Sequence, residues 1–81
     1  MSTTEKVAIV TGAGSGIGRA VALEFLSNGY LVALAGRREE ALTETISLSG
    51  IYRNNATAIS TDVSDPNAVR ALFNGVKQKY G

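Results

Sequence analysis

The chain contains no cysteine, no histidine and no tryptophan, and it has a single proline. Without cysteine there is no disulfide framework and no thiolate metal site, and without histidine the commonest metal ligand is missing. Charge of one sign is lacking too: the net charge over 81 residues is +1, which gives no electrostatic footprint for nucleic acid or an anionic membrane surface. Long apolar runs are absent. The longest, Tyr30 to Ala35, is far too short to cross a bilayer. Met1 to Glu5 lacks the basic region and apolar core of a signal peptide, so the expected location is cytoplasmic. For the same reason Asn55-Ala56-Thr57, which has the form of a glycosylation sequon, is read as structural. Asp62 and Asp65 form a carboxylate pair, but a metal site needs more ligands than these two offer.

Glycine, by contrast, is plentiful. The chain has nine, and four of them occupy every second position from Gly12 to Gly18. This stretch follows a short apolar run, Val7 to Val10, and precedes a helical pattern. A strand, a glycine turn and a helix start together make a site for an anionic phosphate: backbone N–H groups approach without Cβ interference, and the helix terminus adds partial positive charge. Spacing narrows the choice. The pattern GxxxxGK[ST] fails because Ile17 stands five residues after Gly12, and GxGxxG fails because its third glycine falls on Ile17, Arg19 or Val21.

Apolar periodicity orders the rest. Lys6 to Thr11 reads as a strand buried on both faces. Arg19 to Asn28 reads as a helix with Gly18, Val21, Ala22, Phe25, Leu26 and Gly29 on its apolar stripe, and Asn28-Gly29 as its stop. Tyr30 to Ala35 is a second buried strand, and a helix with Glu39 and Glu40 in its first turn and Leu42, Ile46 and Ser49 on one side runs to Gly50. Ile51 to Asn55 reads as a loop and Ala56 to Ser60 as a strand nearer a sheet edge. Asp65 caps a last helix with Pro66 at its first position and Val69, Leu72, Phe73, Val76 and Tyr80 on its inner face. The fold class is therefore α/β, a Rossmann-like βαβαβα half of a doubly wound parallel sheet with expected strand order 3-2-1.

One pattern fits the glycines: TGxxxGxG, through Thr11, Gly12, Gly16 and Gly18, with Gly14 and Ser15 inside the turn. It resembles the signature of the short-chain dehydrogenase/reductase family in its non-extended branch; the extended branch would have glycine where Ser15 stands. The resemblance runs from Lys6 to Gly81 and implies a turn, Gly12, Gly14, Ser15, Gly16, Ile17 and Gly18, that holds a nicotinamide dinucleotide. The family's catalytic serine, Tyr-x-x-x-Lys pair and asparagine have no counterpart: Leu34 follows Tyr30 at that spacing, Ala56 follows Tyr52, and only Gly81 follows Tyr80. The chain is thus expected to be the N-terminal portion of a longer member, residues 1–81 forming a partial dinucleotide-binding domain with no proton-transfer residue.

Cofactor choice is read at the end of the second strand, about 20 residues past the turn, where an acidic residue accepts from the adenosine ribose 2′-hydroxyl of NAD. Gly36 occupies that place and Arg37 and Arg38 follow, which favours a 2′-phosphate and hence NADP over NAD. The competing reading pairs these arginines with Glu39, Glu40 or Glu44 on the surface. By resemblance, Asp62 accepts from the adenine amino group and Val63 supplies a backbone contact. The implied function is the cofactor-binding part of an NADP(H)-dependent oxidoreductase acting on a small carbonyl or alcohol substrate, in a parent expected to be a homo-oligomer. A non-catalytic NADP-binding module is the alternative. An S-adenosylmethionine methyltransferase is a further one, since Gly12-x-Gly14-x-Gly16 spells GxGxG, but the acidic residues it needs before the turn and after the second strand are missing.

Overall fold

The structure is a computed structural model, and it describes residues 6–80. The polar segment 1–5 and Gly81 lie outside the described residues. Three parallel strands, β1 (Val7–Thr11), β2 (Leu31–Gly36) and β3 (Ala56–Ser60), alternate with helices α1 (Gly16–Ser27), α2 (Glu39–Leu48) and α3 (Pro66–Tyr80). The strands lie in the order β1-β2-β3, so the expected 3-2-1 sheet is present. This is a Rossmann-like unit.

The central strand explains both layers. Val32, Ala33, Leu34 and Ala35 of β2 are all fully buried, with alternate side chains serving opposite faces. Val32 and Leu34 pack with Val10, Ala22, Leu26 and Leu42 under α1 and α2. Ala33 and Ala35 pack with Leu72 and Val76 of α3. β1 departs from the expectation of burial on both faces: Val7 is exposed and Ala8 and Ile9 only half-buried, because β1 pairs with β2 on one side and forms an edge of this sheet. Phe73, expected on the inner face of α3, is exposed for the same reason and lies beside Val7 and Ile9 at that edge.

Helix ends follow local chemistry. α1 starts at Gly16, earlier than the apolar stripe indicates, and stops at Asn28 and Gly29. Gly29 adopts φ +86°, its N–H donates to the Leu26 carbonyl, and the Tyr30 N–H reaches back to the Phe25 carbonyl at 3.1 Å. This is a Schellman closure, and the accompanying apolar contact is the edge-on pair of the Phe25 and Tyr30 rings, 4.7 Å between centroids. At α3 the Asp65 carboxylate accepts from the Asn67 N–H at 2.9 Å, the N-cap bond expected ahead of Pro66. Residues Gly50–Asn55, expected to loop beyond Gly50, form a 3₁₀ segment instead. Its Tyr52 ring packs against the α1–α2 core layer while Ile51 stays in solvent.

Candidate functional site

Parallel pairing in register brings three strand ends to one edge of the sheet. Thr11 lies opposite Ala35 and Gly36 opposite Ser60, so the glycine turn, Arg37 and the Thr61–Asp62 turn leave the sheet side by side. The Ala13 N–H donates to the Ala35 carbonyl and the Thr61 N–H to the Gly36 carbonyl at 2.7 Å, carrying the pairing one step past the strands.

Within the turn the glycines answer different demands. Gly12 and Gly16 hold φ +63° and +58°, the left-handed region that disfavours side chains. Gly18 is fixed by approach: a Cβ there would collide with the Gly12 carbonyl oxygen, so only glycine lets the start of α1 pack on the end of β1. A Cβ on Gly14 would meet the Ala41 Cβ at 2.8 Å, which is how α2 closes against the turn. Ser15 caps α1 in an extended conformation and makes no side-chain capping bond. Among the described residues, the N–H groups of Gly14, Ser15, Gly16, Ile17 and Gly18 meet no acceptor at good hydrogen-bond distance and angle. A row of free amide donors at a helix start is the chemistry a phosphate needs.

Beside this row is a cleft of about 450 Å³, lined by Gly12, Gly14, Ser15, Gly36, Arg37 and Arg38 among others. Ile17, with 84% of its surface exposed, stands on the first turn of α1 outside it. Arg37 joins the cleft to the third strand end, its Nη2 lying 3.1 Å from Asp62 Oδ1. The same Asp62 oxygen accepts from the Ser64 N–H at 2.9 Å and the Ser64 hydroxyl at 2.6 Å. These two Ser64 bonds, followed by Arg37, hold the Asp62 carboxyl below its usual range. Oδ2 has no partner among the described residues, so one oxygen remains to accept from a ligand. Val63 is exposed in the turn and does not line the cleft.

The surface-pair reading holds for Arg38, whose Nε lies 3.0 Å from Glu40. Arg37 is also in an exposed pair, but with Asp62 rather than with a glutamate of α2. Glu44 is taken by Arg19 at 3.2 Å. Arg19 and Thr45 were not legible as part of the site. Arg19 lines the cleft, and Thr45 is fully buried beneath it. The one available signal was a threonine three residues after Leu42, on the side of the helix expected to face the core, where a hydroxyl must find partners.

The model of the short chain dehydrogenase family matches residues 6–81. The chain belongs to this family. Among the short-chain dehydrogenases, it is 40% identical over 77 residues to a 3beta-hydroxysteroid dehydrogenase of Mediterraneibacter gnavus, a match covering 95% of this chain and 28% of that protein. A metagenomic short-chain oxidoreductase in complex with NADP superposes with a TM-score of 0.87 at 34% identity, covering 94% of this chain and 34% of the other. The 3-ketoacyl-(acyl-carrier-protein) reductase of Brucella melitensis, complexed with NADH, gives 0.83 at 32% identity over 94% and 30%. The chain thus spans about a third or less of the length of the relatives it matches. Short-chain dehydrogenases are oxidoreductases that carry a nicotinamide cofactor on a fold of this kind, which leaves the methyltransferase reading without support.

Proposed function

We propose that these residues form the adenosine and pyrophosphate half of the cofactor site of an NADP(H)-dependent oxidoreductase acting on a carbonyl or alcohol substrate. One observation carries the choice of NADP: Gly36 puts no carboxylate at the end of β2, while the next residue, Arg37, lines the cleft. A carboxylate there would accept from a 2′-hydroxyl and repel a 2′-phosphate; a guanidinium does the reverse. The free N–H groups of the turn and the positive end of α1 suit the pyrophosphate common to NAD and NADP. Asp62 Oδ2 suits the adenine amino group, with Val63 alongside.

When bound, the nicotinamide supplies hydride exchange with the substrate carbon. The work of this chain is to bind and orient the other end of the cofactor through Gly12, Gly14, Ser15, Gly16, Ile17, Gly18, Arg37, Arg38, Asp62 and Val63. The 81 residues hold no Tyr-x-x-x-Lys pair, and we assign them no proton-transfer role. We place the protein in the cytoplasm, acting on a small molecule rather than nucleic acid or membrane, as a homo-oligomer. Among the described residues no helix is long and apolar enough to cross a membrane. The test is the ratio of NADPH to NADH dissociation constants in the full-length protein, which should favour NADPH and fall towards unity in Arg37→Ala.

A further inference from the structure

Arg19 and Thr45 form a side-chain clamp under the glycine turn. The Arg19 side chain is only 25% exposed. Its Nε donates to Thr45 Oγ1 at 2.8 Å, and its Nη2 donates to the Gly14 carbonyl at 2.6 Å, with the Ala41 carbonyl at 3.3 Å and Glu44 at 3.2 Å. Thr45 Oγ1 in turn donates to the Ala13 carbonyl at 2.8 Å, a buried bond across 32 residues of sequence. Two successive carbonyls of the turn, Ala13 and Gly14, are thereby tied to side chains of α1 and α2. In a trans peptide the N–H points opposite to its own carbonyl. The Gly14 and Ser15 N–H groups, the partners of those two carbonyls in their peptide planes, are therefore turned away from the clamp and kept free.

We propose that Arg19, acting with Thr45, is a positioning residue for phosphate recognition: it fixes two peptide planes of the turn and so the direction of the amide donors that meet the cofactor's pyrophosphate. This rests on the nicotinamide-cofactor reading above. Gly14 needs such a restraint. Glycine has wide backbone freedom, and in a turn with no other bond on these carbonyls the planes would rotate and scatter the donors. The planar fork of arginine serves several acceptors in fixed directions, which a single ammonium does not.

The pyrophosphate is shared by NADH and NADPH, and adenosine lacks it, so three ligands separate the possibilities. In the full-length protein, Arg19→Met should weaken NADH and NADPH by the same factor, about tenfold, and leave adenosine, titrated by chemical shift, unchanged. Thr45→Val should show the same pattern, and Thr45→Ser, which keeps the hydroxyl, should bind as wild type. Loss confined to NADPH would mean that Arg19 contacts the 2′-phosphate directly and would overturn the proposal. An equal loss for adenosine, or no loss in either variant, would overturn it as well. If wild type binds neither dinucleotide, the cofactor reading itself fails, and this inference with it.

Discussion

Replacing Gly36 and Arg37 should move cofactor preference in opposite senses, and the structure sets the terms. Arg37 presents its guanidinium at the rim of the cleft with one N–H on Asp62 and its other donors without partners among the described residues. Capture of a 2′-phosphate therefore does not require the Asp62 contact to break, and an exposed pair of this kind holds its members weakly. A charge-assisted hydrogen bond to phosphate contributes about 1.5–3 kcal/mol, which corresponds to roughly ten- to hundredfold in affinity. Arg37→Ala should weaken NADPH by about that factor and leave NADH nearly unchanged. Arg38→Ala should do less, since Arg38 is paired with Glu40.

Gly36→Asp is the converse. Its Cβ would arrive 3.2 Å from Leu42 Cδ2, the end of a side chain that needs to give by only a few tenths of an ångström. The new carboxylate then accepts from a 2′-hydroxyl and repels a 2′-phosphate, so NADH should tighten as NADPH weakens. Gly36→Ala supplies the same Cβ without the charge and should leave the preference where it was. Dissociation constants for both cofactors, by calorimetry or nicotinamide fluorescence across these variants, decide it. Equal binding of NADH and NADPH by wild type, or equal weakening of both in Arg37→Ala, would refute the reasoning.

Gly18→Ala should cost about 1–3 kcal/mol by overpacking, read as a lowered melting temperature, because its Cβ meets the Gly12 carbonyl rather than a movable side chain. The depressed Asp62 pKa has a defined sign. Its contribution to stability is present above the unfolded-state pKa and is lost as pH falls through the lower folded value, so carboxyl titration by NMR should place Asp62 below an unperturbed aspartate, and Ser64→Ala should raise it. The isolated 81-residue chain should self-associate through the unpaired edge of β1; a concentration-independent monomer mass with strongly protected amides at Val7 to Val10 would contradict this. The same isolated chain should show no NADPH turnover with aldehydes, ketones or quinones, and any turnover abolished by a mutation in it would count against the assignment.

The elements that were legible in the sequence are those whose cause is local. β3 spans Ala56 to Ser60 as its short alternating pattern indicates, the Asp65–Pro66 cap is a matter of two adjacent residues, and Gly29 stops α1 by its own backbone preference. What the sequence concealed depends on neighbours. Val7 and Phe73 have the side chains of core residues, and their exposure follows from β1 lying at a sheet edge, which periodicity does not reveal. The segment Gly50–Asn55 lacks an apolar period, yet Tyr52 finds the core and winds it into a 3₁₀ turn. In the site, the glycine spacing and the Gly36-Arg37 pair were readable because they are contiguous. The Arg19–Thr45 bond and the Arg37–Asp62 pair join residues 26 and 25 positions apart and only the fold brings them together.

That difference in origin has a consequence for how such a site changes. The donors proposed for the shared pyrophosphate belong to the backbone of a turn whose glycines are held by φ, by the Gly12–Gly18 approach and by contact with Ala41. Substitution at Gly12 or Gly16 strains the backbone, and at Gly18 the packing of α1 on β1, before it alters any ligand. Arg37, by contrast, is about 71% exposed, and Gly36 meets only the end of the Leu42 side chain. Changes there alter charge at the cleft rim at little cost to the core. The capacity to bind a dinucleotide is therefore coupled to stability, while the choice between its two forms is nearly free of it. A series of substitutions at Gly36 and Arg37 should spread the NADPH-to-NADH ratio widely at almost constant melting temperature, whereas a series across the glycine turn should move affinity and melting temperature together.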